Sequence, residues 1–301
     1  MKPMVALMLA LASLAVTTAS AGPNVHGAKF RFADGHESDF HEVVVGDPKT
    51  MDTIVFTYGG SGCTDLGIDW LPRLATDMGI HARYVSLNKR HVRAGENSGG
   101  ASEPCSPAFR THDIPRQWMT DYMAFVSRTL AESDGRWKNV VLVGGSEGGA
   151  LAARVARARE DITHLVVIGD GGWSMRDILG TIVGPDAVEA AWKDIAQDPG
   201  NIDTMWMGHP YRYWFDVFDH APLADYLALD IPVLIGFGEH DRSVPVAAGQ
   251  DILRTAHAAG KRNIGLVVYP GADHSLQAEG HSYLPAFLQG VGQAIITGNL
   301  D

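Results

Sequence analysis

Six short runs of apolar residues, each continuous and not alternating, constrain the fold of this 301-residue chain more than any other feature. They are Thr53–Tyr58, Ala82–Leu87, Asn139–Gly144, His164–Gly169, Ile231–Phe237 and Ile264–Pro270. A strand apolar at consecutive positions buries both faces, as in a parallel sheet covered by helices on each side. Segments of helical character fall between the runs, at Asp69–Met78, Pro115–Ser133, Gly148–Glu160 and Ala247–Gly260, with a last one covering His281–Gly298. Ahead of them, Ala28–Phe32 and His41–Val45 alternate around a polar stretch and read as an antiparallel hairpin. The expected fold is α/β: a doubly wound, mostly parallel eight-stranded sheet whose first two strands are antiparallel.

Two stretches stand outside this rhythm. Residues 1–21 carry Lys2, an apolar run from Met4 to Val16 and the small-residue end Ala19-Ser20-Ala21, the make-up of a secretory signal peptide cut after Ala21. The run is only about 13 residues, short of the ~20 that span a bilayer. The expectation is a periplasmic or secreted domain, 22–301, with no stable membrane anchor after cleavage. Between the fourth and fifth parallel strands lie roughly sixty residues where ~10–15 would make a crossover helix. This stretch, about 171–230, holds Trp173, Trp192, Trp206, Tyr213 and Trp214 and reads as a helical cap insertion. Sitting over the carboxyl ends of the strands, it would wall the pocket; the plainer reading is that its rings pack inward.

The formal net charge of −11, with no Lys/Arg cluster, argues against nucleic acid as a partner. Cys63 and Cys105 are the two cysteines, and export makes a disulfide between them the expected state, with two free thiols as the alternative. They are too far apart for a zinc pair, and the 13 histidines form no HExxH or tight HxH, so neither metal nor cofactor is expected. His26, His36 and His41 are expected to face solvent.

Chemistry concentrates at Gly144-Gly145-Ser146-Glu147-Gly148, a G-x-S-x-G between a predicted strand and a predicted helix. A turn this sharp would collide side chains two residues either side of the serine, so Gly144 and Gly148 clear it. Ser146 then holds a strained backbone costing on the order of 1–3 kcal/mol, with its hydroxyl standing free at a helix N-terminus. A serine hydroxyl needs a base, and the base needs an orienting group. Asp241 follows the fifth parallel strand in Gly236–Pro245, and His274 follows the sixth in Tyr269–Leu276. The order Ser146, Asp241, His274 is that of a strand-elbow hydrolase. Glu239 and Asp170 are rival acids; Asp273, next to His274, is left aside because adjacent side chains diverge. The developing oxyanion needs two fixed donors. The N–H of Glu147 is one, and the glycine loop after the first parallel strand offers the N–H of Gly60, with Ser61 next.

These motifs resemble those of the α/β-hydrolase superfamily over nearly the whole chain from Ala28 onward. Residues 58–62, YGGSG, are similar to the H-G-G-x-G oxyanion loop of its serine aminopeptidases and esterases; VGGSEGG, GEHDRSVP and GADHS resemble its elbow, acid turn and histidine loop. Leu87–Val92 is similar to a K-R-G segment found after the next strand. Tyr58 stands for the family's histidine, Ser61 for a common proline and His91 for the K-R-G glycine, departures that leave the catalytic set intact and argue against the proline-specific peptidase branch. The resemblance implies an acyl-enzyme serine hydrolase acting on a small-molecule ester or a short peptide. Ester hydrolysis is the first expectation. A serine peptidase or aminopeptidase is the second, with Glu189, Asp194 or Asp203 holding a substrate amine. A non-catalytic binding protein on the same fold is the alternative of another class.

Overall fold

The apolar runs become neighbouring strands of one sheet. The computed structural model describes residues 23–133 and 135–298, so the expected signal peptide lies outside the described residues. In chain order the elements are β1 (Val25–Arg31), β2 (Glu37–Val45), β3 (Thr53–Tyr58), α1 (Trp70–Met78), β4 (Ala82–Leu87), α2 (Pro107–His112), α3 (Pro115–Ala131), β5 (Asn139–Gly145), α4 (Glu147–Arg157) and β6 (His164–Ile168). There follow α5 (Met175–Val183), α6 (Pro185–Gln197), β7 (Met205–Trp206), β8 (His209–Pro210), α7 (Tyr211–Val217) and α8 (Leu223–Ala228). The chain closes with β9 (Val233–Gly238), α9 (Val246–Ala258), β10 (Ile264–Tyr269), β11 (Gln277–Ala278), β12 (His281–Ser282) and α10 (Leu284–Thr297).

The main sheet has eight strands in the order β1-β2-β4-β3-β5-β6-β9-β10. β2 pairs antiparallel with β1 and with β4, and every other pairing is parallel. Consecutive residues of a central strand enter opposite cores. Ile54, Phe56, Leu142 and Val167 join Trp118, Phe125 and Leu151 on the face of α3 and α4. Val55, Val141, Val143 and Val166 join Leu71, Leu74, Leu288 and Val291 on the face of α1 and α10. Continuous apolar runs are therefore what a sheet covered on both sides requires. The hairpin begins earlier than its alternation suggested, at Val25 and Glu37, because the register from Val25↔Val43 to Arg31↔Glu37 carries the pairing through exposed residues. Two short two-stranded sheets, β7–β8 and β11–β12, were not foreseen; two-residue strands leave no periodicity to read.

The expected walls of the pocket take a different shape. Between β6 and β9 the aromatic residues pack on one another and on the core. Trp192 stacks on Phe218 at 4.9 Å, Trp206 meets Trp214 edge-on at 5.2 Å, and Tyr213 and Trp214 are buried. Large rings gain more by mutual burial than by lining an open cavity. Cys63 and Cys105 form a disulfide that ties the loop after β3 to the segment before α2, a helix that the sequence reading passed over. Cross-linking across 42 residues restricts the unfolded chain by about 3–4 kcal/mol in the chain-entropy model. Reductant is therefore expected to lower the melting temperature by several degrees, and calorimetry with and without dithiothreitol checks this; an unchanged transition would contradict it.

His26 is exposed as expected, but His36 and His41 are not. His41 places Nε2 2.9 Å from Asp65 Oδ1 and is largely covered. His36 contacts His91 at 4.5 Å between ring centroids, and His91 contacts His112 at 4.7 Å. Arg90 lies beside this cluster, bridging Asp34 and Asp121. Burial lowers the pKa of His36 below the ordinary histidine value, and the Arg90 charge adds to the effect. Burial lowers that of His91 too, assisted by the two neighbouring imidazoles. A histidine whose folded pKa is depressed contributes stability that is complete above about pH 6.5 and is lost as pH falls through that value. Melting temperature is expected to fall as pH drops below about 6.5, more steeply in the wild type than in a His36→Gln/His91→Asn variant; parallel pH profiles for the two would refute this.

Candidate active site

The elbow lies between β5 and α4. Ser146 has φ 52° and ψ −132°, in the left-handed region that non-glycine residues avoid. Its backbone N–H donates to Ile168 O of β6 at 2.8 Å, and its carbonyl accepts from Gly149 N–H at 2.7 Å. These bonds hold the strained residue in place. Gly144 and Gly148 are needed for close approach: a Cβ on Gly144 would lie 2.2 Å from Gly148 O, and one on Gly148 would lie 2.5 Å from Gly59 O. The second contact was not anticipated, since Gly148 makes room for the end of β3 as well as for the turn. Gly145 is different, because a Cβ there would meet nothing within 4 Å.

Asp241 and His274 come together from the turns after β9 and β10. His274 Nδ1 lies 2.7 Å from Asp241 Oδ2, and the Asp241 side chain is wholly buried. The other carboxylate oxygen accepts the N–H groups of Ser243 at 2.8 Å and Val244 at 2.9 Å, which fixes its orientation. The His274 ring rests over Gly169, where a Cβ would come within 3.0 Å of it. The rival acids Glu239 and Asp170, and Asp273 left aside with them, are occupied elsewhere. Glu239 accepts the N–H of Gly271, and Asp273 accepts those of Ser275 and Gln277 within its own turn. Asp170 accepts the Tyr226 hydroxyl at 3.0 Å, and burial pushes its pKa up to about 7.

Ser146 and His274 line one cavity of about 350 Å³. Its other walls are Tyr58, Gly59 and Gly60 at the end of β3, Leu66 and Thr64 beyond them, Trp70 and Arg73 of α1, and Leu284 of α10. None of its lining residues falls in 171–230. No hydrogen bond joins the Ser146 hydroxyl to another described residue, so it is uncommitted. Gly60 packs against Ser146, a Cβ on it falling 3.2 Å from Ser146 Cβ. Glu147 is the first residue of α4, and its carboxylate is buried beside the Tyr213 hydroxyl. Burial raises its pKa above the ordinary glutamate value, and the Lys89 charge opposes that rise. Trp70, Arg73 and Leu284 escaped the sequence reading, because cavity walls from distant helices carry no local motif.

The sheet order, the elbow and the Asp241–His274 contact define a serine hydrolase of the α/β-hydrolase superfamily. Residues 111–288 match the model of the prolyl oligopeptidase family, more than half of the chain, and the protein belongs to that family. The departures at Tyr58, Ser61 and His91 lie outside the matched residues, and they bear on the proline-specific branch and not on membership of the family. His91 even keeps a glycine-like φ of 63°. The acylamino-acid-releasing enzyme of Rattus norvegicus is 25% identical over 189 residues, which cover 58% of this chain but 23% of that enzyme. The chain thus spans about a quarter of the length of that relative. Among solved structures, an acylaminoacyl peptidase of Pyrococcus horikoshii superposes with a TM-score of 0.65 at 12% identity, over 92% of this chain and 41% of the other. The Pyrococcus furiosus esterase Pf2001 gives 0.60 at 13% identity, over 91% and 93%. Both structural likenesses are likenesses of fold.

Backbone clearance predicts how elbow substitutions sort. Gly148→Ala is expected to destabilise by about 1–3 kcal/mol or to prevent folding, because the methyl meets main-chain atoms that cannot step aside. Gly145→Ala should stay within about 1 kcal/mol of the wild type. Denaturant titration of the two variants decides, and equal effects would refute the reading.

Proposed function

We propose that the protein is an exported carboxylic ester hydrolase that works through an acyl-enzyme, with Ser146 as nucleophile, His274 as general base and Asp241 as the group that orients it. The observation that carries this reading is the 2.7 Å contact of His274 Nδ1 with a buried, doubly anchored Asp241 carboxylate, His274 itself lining the cavity that also holds the free Ser146 hydroxyl. With Nδ1–H held by Asp241, His274 presents Nε2 as the acceptor. Substrate binding brings Ser146 Oγ and Nε2 to about 2.6–3.2 Å. Ser146 then attacks the carbonyl carbon while His274 takes its proton. The negative charge that develops on the carbonyl oxygen is met by the N–H of Glu147 and by the Gly60 loop. Collapse expels the alcohol, protonated by His274, and water repeats the sequence to release the acid.

The walls favour an ester over a free-amine peptide. No carboxylate lines the cavity to hold a substrate ammonium. Of the three carboxylates considered for that task, Glu189 pairs with Arg176 and Asp203 lies 3.6 Å from Arg110. Asp194 is likewise outside the cavity. Family membership favours a second reading, cleavage of a peptide whose amino end is blocked, the chemistry named in the acylamino-acid-releasing relatives. A blocked amine needs no carboxylate partner, so the same cavity serves both readings. Export rests on the make-up of residues 1–21.

Ser146→Ala is expected to abolish fluorophosphonate labelling and hydrolysis while leaving the melting temperature within a few degrees. Asp241→Asn should lower kcat by roughly 10⁴-fold, through loss of the productive tautomer. A panel of p-nitrophenyl esters against acetyl-aminoacyl and free aminoacyl anilides separates the readings. Ester turnover alone supports the first, cleavage of acetylated anilides the second, and a wild type that hydrolyses none of them and leaves Ser146 unlabelled refutes both. Mass spectrometry of the exported protein should find Gly22 at its start.

A further inference from the structure

Behind the cavity, on the inner side of the loop after β3, lies a buried lysine that no step above uses. Lys89 follows β4, and its ammonium donates to Gly60 O at 2.7 Å and more weakly to Gly62 O at 3.4 Å. It also sits 3.4 Å above the Trp118 ring, and the side chain is almost completely covered. Burial draws its pKa below the ordinary lysine value, and the charges of Glu147 and Asp113 oppose this. A desolvated cation is costly to bury unless its hydrogen bonds are satisfied, so its position has to be accounted for by what it holds.

It holds one peptide group. All peptide bonds of the described chain are trans, so the carbonyl of Gly60 and the N–H of Ser61 point in opposite directions. Lys89 holds the carbonyl, so the Ser61 N–H points away from the Lys89 ammonium. That N–H makes no hydrogen bond to another described residue, and Gly60 beside it packs against Ser146. A charged donor on the carbonyl also polarises the amide, which strengthens its N–H as a donor. From the far side, the Cys63–Cys105 bond and the bond from Cys63 N–H to Ser98 Oγ at 3.0 Å hold the same loop.

We propose that Lys89 is a positioning residue for catalysis: by clamping the Gly60 carbonyl it presents the Ser61 N–H as the second oxyanion donor beside that of Glu147. This rests on the acyl-enzyme reading and refines it, moving the loop donor from Gly60 to Ser61. The clamp acts on the tetrahedral anion and much less on bound substrate, so its loss falls on kcat.

Lys89→Met keeps the length of the side chain and removes the donor. It should lower kcat on a p-nitrophenyl ester by about 10–100-fold with KM within twofold, against the roughly 10²–10³-fold seen when an oxyanion donor is deleted outright. The inhibition constant of phenylboronic acid, which forms a tetrahedral anion on the serine, should rise by the same factor as kcat falls. Lys89→Gln, which retains one donor toward Gly60 O, should recover part of both losses. A folded Lys89→Met protein with unchanged kcat and unchanged boronate affinity overturns the proposal. So does a fall confined to KM, or a glutamine variant no better than methionine. The wild type supplies a measurement that needs no variant. Amide NMR with phenylboronic acid should move the Ser61 resonance strongly downfield, and a shift at Gly60 with Ser61 unmoved overturns the assignment. Failure of the underlying reading is distinguishable, since the wild type would then neither turn over esters nor bind boronate at Ser146.

Discussion

The bond from Ser146 N–H to Ile168 O is what allows the rest of the site to exist. It crosses from the elbow to the end of β6 and holds a non-glycine residue at φ 52°, a conformation that would otherwise relax. The backbone of β5, the start of α4 and the end of β3 meet around it with no room for side chains at Gly144 or Gly148. Once that crowding is accommodated, the hydroxyl stands at the carboxyl end of β5, a central strand, and α4 begins immediately behind it. The cavity, the histidine turn and the glycine loop are arranged about this point.

Charged groups are buried around the site, and each has a partner or a position that limits its cost. Arg90 makes a two-pronged contact with Asp121 on α3, at 2.7 and 2.8 Å, so the loop after β4 is fixed to the helix face. Lys89, the residue before it, turns the other way, toward Gly60 and Trp118. Asp113 and His209 meet through Ser102, whose hydroxyl bonds to both. This second serine–histidine–aspartate group is sealed from the surface, with the serine between the other two, so residue types alone do not make a triad. Ser146 and His274 instead line one cavity, and the buried Asp241 carboxylate contacts His274.

Much of the fold could be read in advance because parallel strands buried on both faces leave continuous apolar runs, and glycines mark the elbow. The Asp241 and His274 turns were legible for the same reason: each follows a recognisable strand. The insertion between β6 and β9 was legible as an insertion of aromatic residues, yet not in its packing, since a ring that walls a pocket and a ring that fills a core look alike in a sequence. His36 and His41 were misjudged as exposed because their partners, His91 and Asp65, come from segments remote along the chain.

The sequence by itself determined the sheet, the place of the elbow and the order of the three polar residues, since each depends on local pattern or spacing. Tertiary structure decided which acid faces His274, which side chains wall the cavity and where the Lys89 ammonium points. Those outcomes depend on contacts between residues far apart in the chain, such as the reach of Lys89 to Gly60, and burial assigns their strength only after the sheet has closed around them.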